Sequence, residues 1–168
     1  MHFNELCQRR YSVRAYSQMK VEQEKLDAVF DAALAAPTAV NKQPFRFIVL
    51  PTRGNEPGLQ RVYKRSWLLQ APWVVCACAV PAEAWSRMDG RNYADVDTVI
   101  AMDHLILAAT EQGLGTCWIA AFDPDAVRDV FELENAWTPI ALTPLGYAAD
   151  QRKNKIRKSI HERVIFRD

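Results

Sequence analysis

The sequence predicts an α+β fold organised as a single domain over residues 1–168. Three observations predict it. The chain has 168 residues, 49% of them hydrophobic and 24% charged, the size and composition of one ordinary globular domain. Helical and strand-like patterns are mixed along the chain rather than segregated. No internal repeat, low-complexity tract or linker divides it.

The elements follow in order. Residues 21–37, VEQEKLDAVFDAALAAP, place Leu26, Val29, Phe30, Ala33 and Leu34 at the i, i+3, i+4, i+7, i+8 spacing of an amphipathic helix. Pro37 stops it. RFIVL (46–50) is a short β-rich run. PTRGNEPGLQ reads as a loop, and residues 60–70 read as helical. WVVCACAV (73–80) is continuous and apolar, the pattern of a strand buried on both faces. Residues 82–96 are polar and aromatic without a clear period. Residues 97–113 are the strongest helix: Asp97 can cap it, its body is nearly all apolar, and Gly113 can close it. A helix apolar on most sides packs centrally. TCWIAAF (116–122) reads as the next strand. Asp123–Pro124 supplies an N-cap followed by a proline at the first helical position, which starts another helix. TPIALTPLGYA (138–148) reads as a last core strand, and from Asp150 the chain turns basic.

Composition excludes several function classes. A net charge of +1 argues against a broad nucleic-acid footprint. No apolar run approaches the roughly 20 residues of a membrane span, and MHFNELCQRR has no apolar core of a secretory signal. A cytoplasmic protein is expected. Cys7, Cys76, Cys78 and Cys117 contain no CxxC, and Cys76 and Cys78 read as buried reduced thiols. His2, His104 and His161 make no metal-ligand spacing, so no metal site is expected.

Four stretches could carry chemistry. RRYSVRAY (9–16) holds three arginines, a serine and two tyrosines with no acid. It can be a helix end decorated with Arg, which suits the dipole there. It can also be a phosphate clamp, because Arg forks bind phosphate oxygens bidentately and a Ser hydroxyl adds a neutral donor. AAPTAVNKQPFRFIV (35–49) is either a plain helix-to-strand loop or a place where Asn and Gln amides read the edge of a planar heterocycle. GLGTCWIAAFD (113–123) lacks the lysine of a P-loop and is not GxGxxG, so alone it reads as a helix end and a buried strand. KIRK (155–158) is either part of a solvated tail or a second basic element of a phosphate site.

Taken together, RRYSVRAY, AAPTAVNKQPFRFIV, DTVIAMDHLILAATEQGLGTCWIAAFD, TPIALTPLGYA and KIRK stand in the order and compact spacing of one family. The chain resembles the nitroreductase family of flavin enzymes over nearly its whole length. That resemblance implies a mostly antiparallel central sheet flanked by helices, built as an intertwined homodimer with FMN at the subunit interface. It implies that Arg10, Tyr11, Ser12 and Arg14 hold the phosphate and ribityl side. Lys155 and Arg157 would close on the phosphate. Pro37, Thr38, Ala39 and Asn41 would line the isoalloxazine from the other subunit. The backbone at Ala120–Ala121 would donate N–H groups toward flavin N5.

This chain departs from the family pattern at several points. Tyr11 stands where a second basic residue is common, Thr38 replaces the common Ser and Phe45 the common Trp. Ala120–Ala121 stands where many members have a Gly, and Lys64 falls near a position some members use for the flavin. The resemblance further implies ping-pong turnover, with NADH or NADPH as donor and a nitroaromatic, quinone or related small molecule as acceptor. No catalytic side chain is expected, because the flavin supplies the chemistry. The alternatives are a specialised flavin reductase of one metabolite, a flavin-binding redox module without turnover, and a non-flavin phosphate-binding protein.

Overall fold

In the computed structural model, which describes residues 2–152 and 154–167, the chain forms five α-helices and one four-stranded sheet among those residues. The helices are α1 (Phe3–Arg9), α2 (Gln23–Leu34), α3 (Glu56–Val62), α4 (Ala94–Glu111) and α5 (Pro124–Val130). The strands are β1 (Phe45–Pro51), β2 (Trp73–Ala79), β3 (Gly115–Thr116) and β4 (Thr138–Gly146). Their order in the sheet is β1-β2-β4-β3, every ladder antiparallel. One parallel bridge, Ser12 to Thr116, attaches the N-terminal segment beside β3.

Alternation along β2 builds two cores. Val75 and Ala77 face α2 and α4, where Val29, Ala33, Met102, Leu105 and Ala109 are buried. Val74, Cys76 and Cys78 face α3 and α5, against Leu59, Val62, Val127 and Phe131. Every residue of β2 beyond Trp73 is buried, which is why this strand reads as a continuous apolar run rather than an alternating one. Pro139 enters a central strand because the register shifts between Ala77 and Cys78, and a proline without an N–H is tolerated at such an irregularity.

Several boundaries differ from the sequence reading, each for a local reason. Helix α2 is shorter than 21–37, since Glu22 is extended before it and Ala35 already closes it. α3 begins within the stretch read as a loop, with Pro57 near its N-terminus, and 66–70 is a separate 3-10 turn. α4 starts at Ala94, so Asp97 is not its cap but a buried residue of its first turn. The stretch read as a strand over 116–122 pairs as a strand only at Gly115–Thr116, with a single bridge from Ile119 to Leu142.

Gly115 seats the N-terminal segment. A Cβ there would lie 2.7 Å from Cγ2 and 3.1 Å from Cβ of Val13, a branched side chain fully buried in the core. Gly115→Ala is therefore expected to push residues 12–16 off β3 and to cost about 1–3 kcal/mol of stability, the usual penalty of overpacking. Chemical denaturation with amide exchange at Val13, whose N–H donates to the Thr116 carbonyl at 2.9 Å, checks both effects.

Candidate functional site

Helix α1 ends at Arg9, and Arg10 caps it by donating its backbone N–H to the Leu6 carbonyl. Arg9 thus does decorate a helix C-terminus, pairing with Glu5 at 3.1 Å. Arg10, by contrast, lines a 300 Å³ cleft with Cys7, Lys155 and Arg157, floored by Asp103 and Leu107 of α4. Chain segments far apart in sequence meet there. Arg152 donates to the Gln8 carbonyl at 3.1 Å, and Lys155 Nζ donates to the Cys7 carbonyl. These bonds dock the basic C-terminal stretch against α1.

The cleft is electrostatically unbalanced. Among the described residues, no salt bridge joins Arg10, Lys155 or Arg157 to an acid. The Lys155 ammonium is held below its usual pKa, first by desolvation and then by repulsion from Arg10, Arg157 and Arg152. The cost of crowding these cations falls on the folded protein.

Next to it, Tyr11, Ser12, Arg14, Asp150 and Gln151 line a smaller cleft of 190 Å³. The Tyr11 hydroxyl donates to the Asp150 carboxylate at 3.0 Å, and the Arg14 backbone N–H donates to the same carboxylate at 2.8 Å. Burial and the Asp150 carboxylate push the Tyr11 phenol up to about 12. Tyr11 therefore spends its hydroxyl on the chain itself, tying the start of the C-terminal stretch to the N-terminal segment. Beneath lies Cys117, whose thiol is raised by burial while Arg14, Ser12 and Arg10 oppose that shift. The two clefts share no lining residue, but Arg10 of one and Tyr11, Ser12 and Arg14 of the other follow one another along the N-terminal segment.

The other sequence-derived residues lie elsewhere on this chain. Neither cleft includes Pro37, Thr38, Ala39 or Asn41. They form a turn before β1 in which the Gln43 N–H donates to Thr38 Oγ1 at 3.1 Å and the Gln43 amide donates to Asn41 Oδ1 at 3.2 Å. Val40, Asn41 and Gln43 all adopt positive φ. Ala120 and Ala121 are exposed, and among the described residues their N–H groups donate to no backbone acceptor. Free N–H donors on a surface beside a strand are suited to a polar ligand edge.

Asp150, Cys117 and Asp97 escaped the sequence reading. Asp150 was only the boundary of a basic tail, Cys117 only a strand residue and Asp97 only a cap. Each acts through contacts to residues more than fifty positions away, which no local spacing records.

Among the described residues there is no group of three side chains able to hold a metal ion, and no helix long and apolar enough to cross a membrane.

Comparison with known proteins adds a consistent set of relatives. A family model described as the nitroreductase family matches residues 7–64 and 56–147. A solved structure of a nitroreductase family protein from Clostridium difficile 630 is 36% identical, with a TM-score of 0.89 over 100% of this chain and 99% of that one. An FMN-dependent nitroreductase from Clostridium difficile R20291 is 25% identical, with a TM-score of 0.82 over 97% of this chain and 98% of that one. A Methanothermobacter thermautotrophicus protein carrying the provisional name NADH dehydrogenase/NAD(P)H nitroreductase is 28% identical over 87% of this chain and 77% of its own length.

Proposed function

The chain belongs to the nitroreductase family, and on that premise we propose that it is an FMN-dependent oxidoreductase, working as a homodimer and passing electrons from NADH or NADPH to small acceptors such as nitroaromatics or quinones. The observation that carries this reading is the unbalanced cleft of Arg10, Lys155 and Arg157. Three cations that make no salt bridge among the described residues, with Asp103 as the one acid lining their cleft, fit a terminal phosphate dianion, with guanidinium forks matching its oxygens. The names of two relatives, one FMN-dependent and one an NAD(P)H nitroreductase, point the same way.

When bound, FMN supplies reversible hydride chemistry that no side chain here offers. The protein's part is to bind and orient. Arg10, Lys155 and Arg157 hold the phosphate, with Ser12 and Arg14 beside it. Tyr11 and Asp150 hold the C-terminal stretch in place so that Lys155 and Arg157 face Arg10. The free N–H groups of Ala120 and Ala121 are the donors for the flavin edge. The Pro37–Asn41 turn comes from the other subunit in this reading, which is supported by its sharing neither cleft within one chain. The exposed apolar residues of the C-terminal stretch support a second copy. Ile156, Ile165 and Phe166 are 91%, 77% and 84% exposed, and an apolar arm of that kind marks an interaction surface.

The purified protein is expected to be yellow and to release FMN rather than FAD on heating, because the cleft suits one terminal phosphate and the chain has no dinucleotide fingerprint. Chromatography of the released cofactor, followed by NADH and NADPH oxidation with and without a quinone or nitroaromatic, tests the reading. Release of FAD, or a colourless protein that takes up no FMN, overturns it.

A further inference from the structure

We propose that Asp97 is a positioning residue that holds the Thr38–Gln43 turn, against backbone strain, in the shape that meets the flavin; the inference rests on the FMN reading above. The turn is unusual in its backbone. Val40 has φ 46° and ψ 30°, Asn41 has φ 57° and Gln43 has φ 50°. The left-handed region disfavours any residue with a Cβ and most of all a β-branched one. Val40 is 69% exposed, so no core packing of its side chain offsets that strain.

Something outside the turn must therefore keep it there, since such strain persists only where the surroundings over-determine it. The bonds from Gln43 to Thr38 and Asn41 stay within the turn. The Ala39 N–H instead leaves it, donating to Asp97 Oδ1 at 3.0 Å across 58 residues of chain. Asp97 is 2% exposed in the first turn of α4, the helix at the centre of the fold. Its second oxygen, Oδ2, is buried without a hydrogen-bond partner among the described residues. A buried carboxyl group with one of its two oxygens left without a partner is costly to the fold. The same acid in the same place makes sense as an anchor. It is rigid because it is buried, and it fixes the turn at the residue preceding Val40. The turn is then shaped during folding, and its ordering cost does not fall on cofactor binding.

The test compares FMN affinity of the full-length protein with amide exchange at Ala39. Asp97→Ala is expected to speed Ala39 exchange and to weaken FMN binding by roughly tenfold or more, as loss of a pre-formed binding surface does. Asp97→Leu, which keeps the branched shape and lacks the acceptor, is expected to do the same and serves if the alanine variant folds poorly. Asp97→Asn keeps the Oδ1 acceptor and is expected to stay within about threefold of wild type. Val40→Gly removes the strain, so in the Asp97→Ala background it is expected to restore most of the affinity, a coupling that independent structural roles would not produce. If wild type binds FMN and the alanine and leucine variants, folded, bind it equally well, the positioning role is wrong. Absence of recovery on adding Val40→Gly overturns it also. A wild type that takes up no FMN overturns the functional reading and this role with it, and Ala39 exchange then reports separately whether the anchor exists.

Discussion

Two variants that are each inactive as homodimers are expected to regain activity when refolded together. One is Arg10→Ala/Arg14→Ala, which strips the basic cluster. The other is Thr38→Trp, which blocks the turn before β1. Thr38 has φ −133° and ψ 158°, extended backbone that any residue adopts, so the indole adds bulk without adding strain. In the proposed two-fold dimer each flavin takes its basic cluster from one chain and its turn from the other. Each homodimer then carries a lesion in both sites. A mixed dimer gathers both lesions into one site and leaves the other intact. With random mixing half the dimers are mixed and each has one working site of two, so about a quarter of wild-type activity should return. Isolating heterodimers through two different tags sharpens the measurement. Tagged heterodimers without activity would show that cluster and turn serve the flavin from the same chain.

The second large effect is a split between affinity and stability. Arg157→Ala is expected to weaken FMN binding by about one to two decades, from the roughly 1.5–3 kcal/mol of a charge-assisted hydrogen bond. The melting temperature of the apoprotein, however, should not fall. Arg157 is exposed and its guanidinium otherwise donates to its own neighbour's carbonyl, Ile156, at 2.9 Å. In the apoprotein its charge repels Lys155, and its removal relieves that repulsion. A residue with a merely structural role would lose both quantities together. Titration of apoprotein with FMN at two salt concentrations, beside thermal melts, reads the split, and wild-type affinity should weaken at the higher salt as exposed charges are screened. Unchanged FMN affinity would remove Arg157 from the site.

Much of the architecture was legible residue by residue. The apolar run 73–80 became β2, buried on both faces. The apolar stretch after residue 96 became most of α4, and Asp123–Pro124 started α5, with the Asp123 carboxylate accepting from the N–H groups of Asp125 and Ala126. Arg10 of RRYSVRAY lines one cleft with Lys155 and Arg157 of KIRK, segments that lie more than 140 residues apart in the chain. What misled was local pattern with two readings. IAAF after Thr116 has the apolarity of a strand, yet only Ile119 within it pairs with β4. Asp97 has the chemistry of an N-cap, yet α4 had already begun at Ala94.

The sequence by itself determined which segments are buried and with what period, and which residues carry positive charge. Those properties are local: a side chain's polarity and its spacing from its neighbours decide which face of an element meets the core. Only the tertiary structure decided what each polar group does. Tyr11 gives its hydroxyl to Asp150, 139 residues away, and Ala39 gives its N–H to Asp97, 58 residues away. The positive φ of Val40 is not a preference of valine, and no propensity would assign it. Such contacts arise when the packed sheet and α4 bring distant segments together, so they are properties of the assembled fold and leave no periodic trace in the chain.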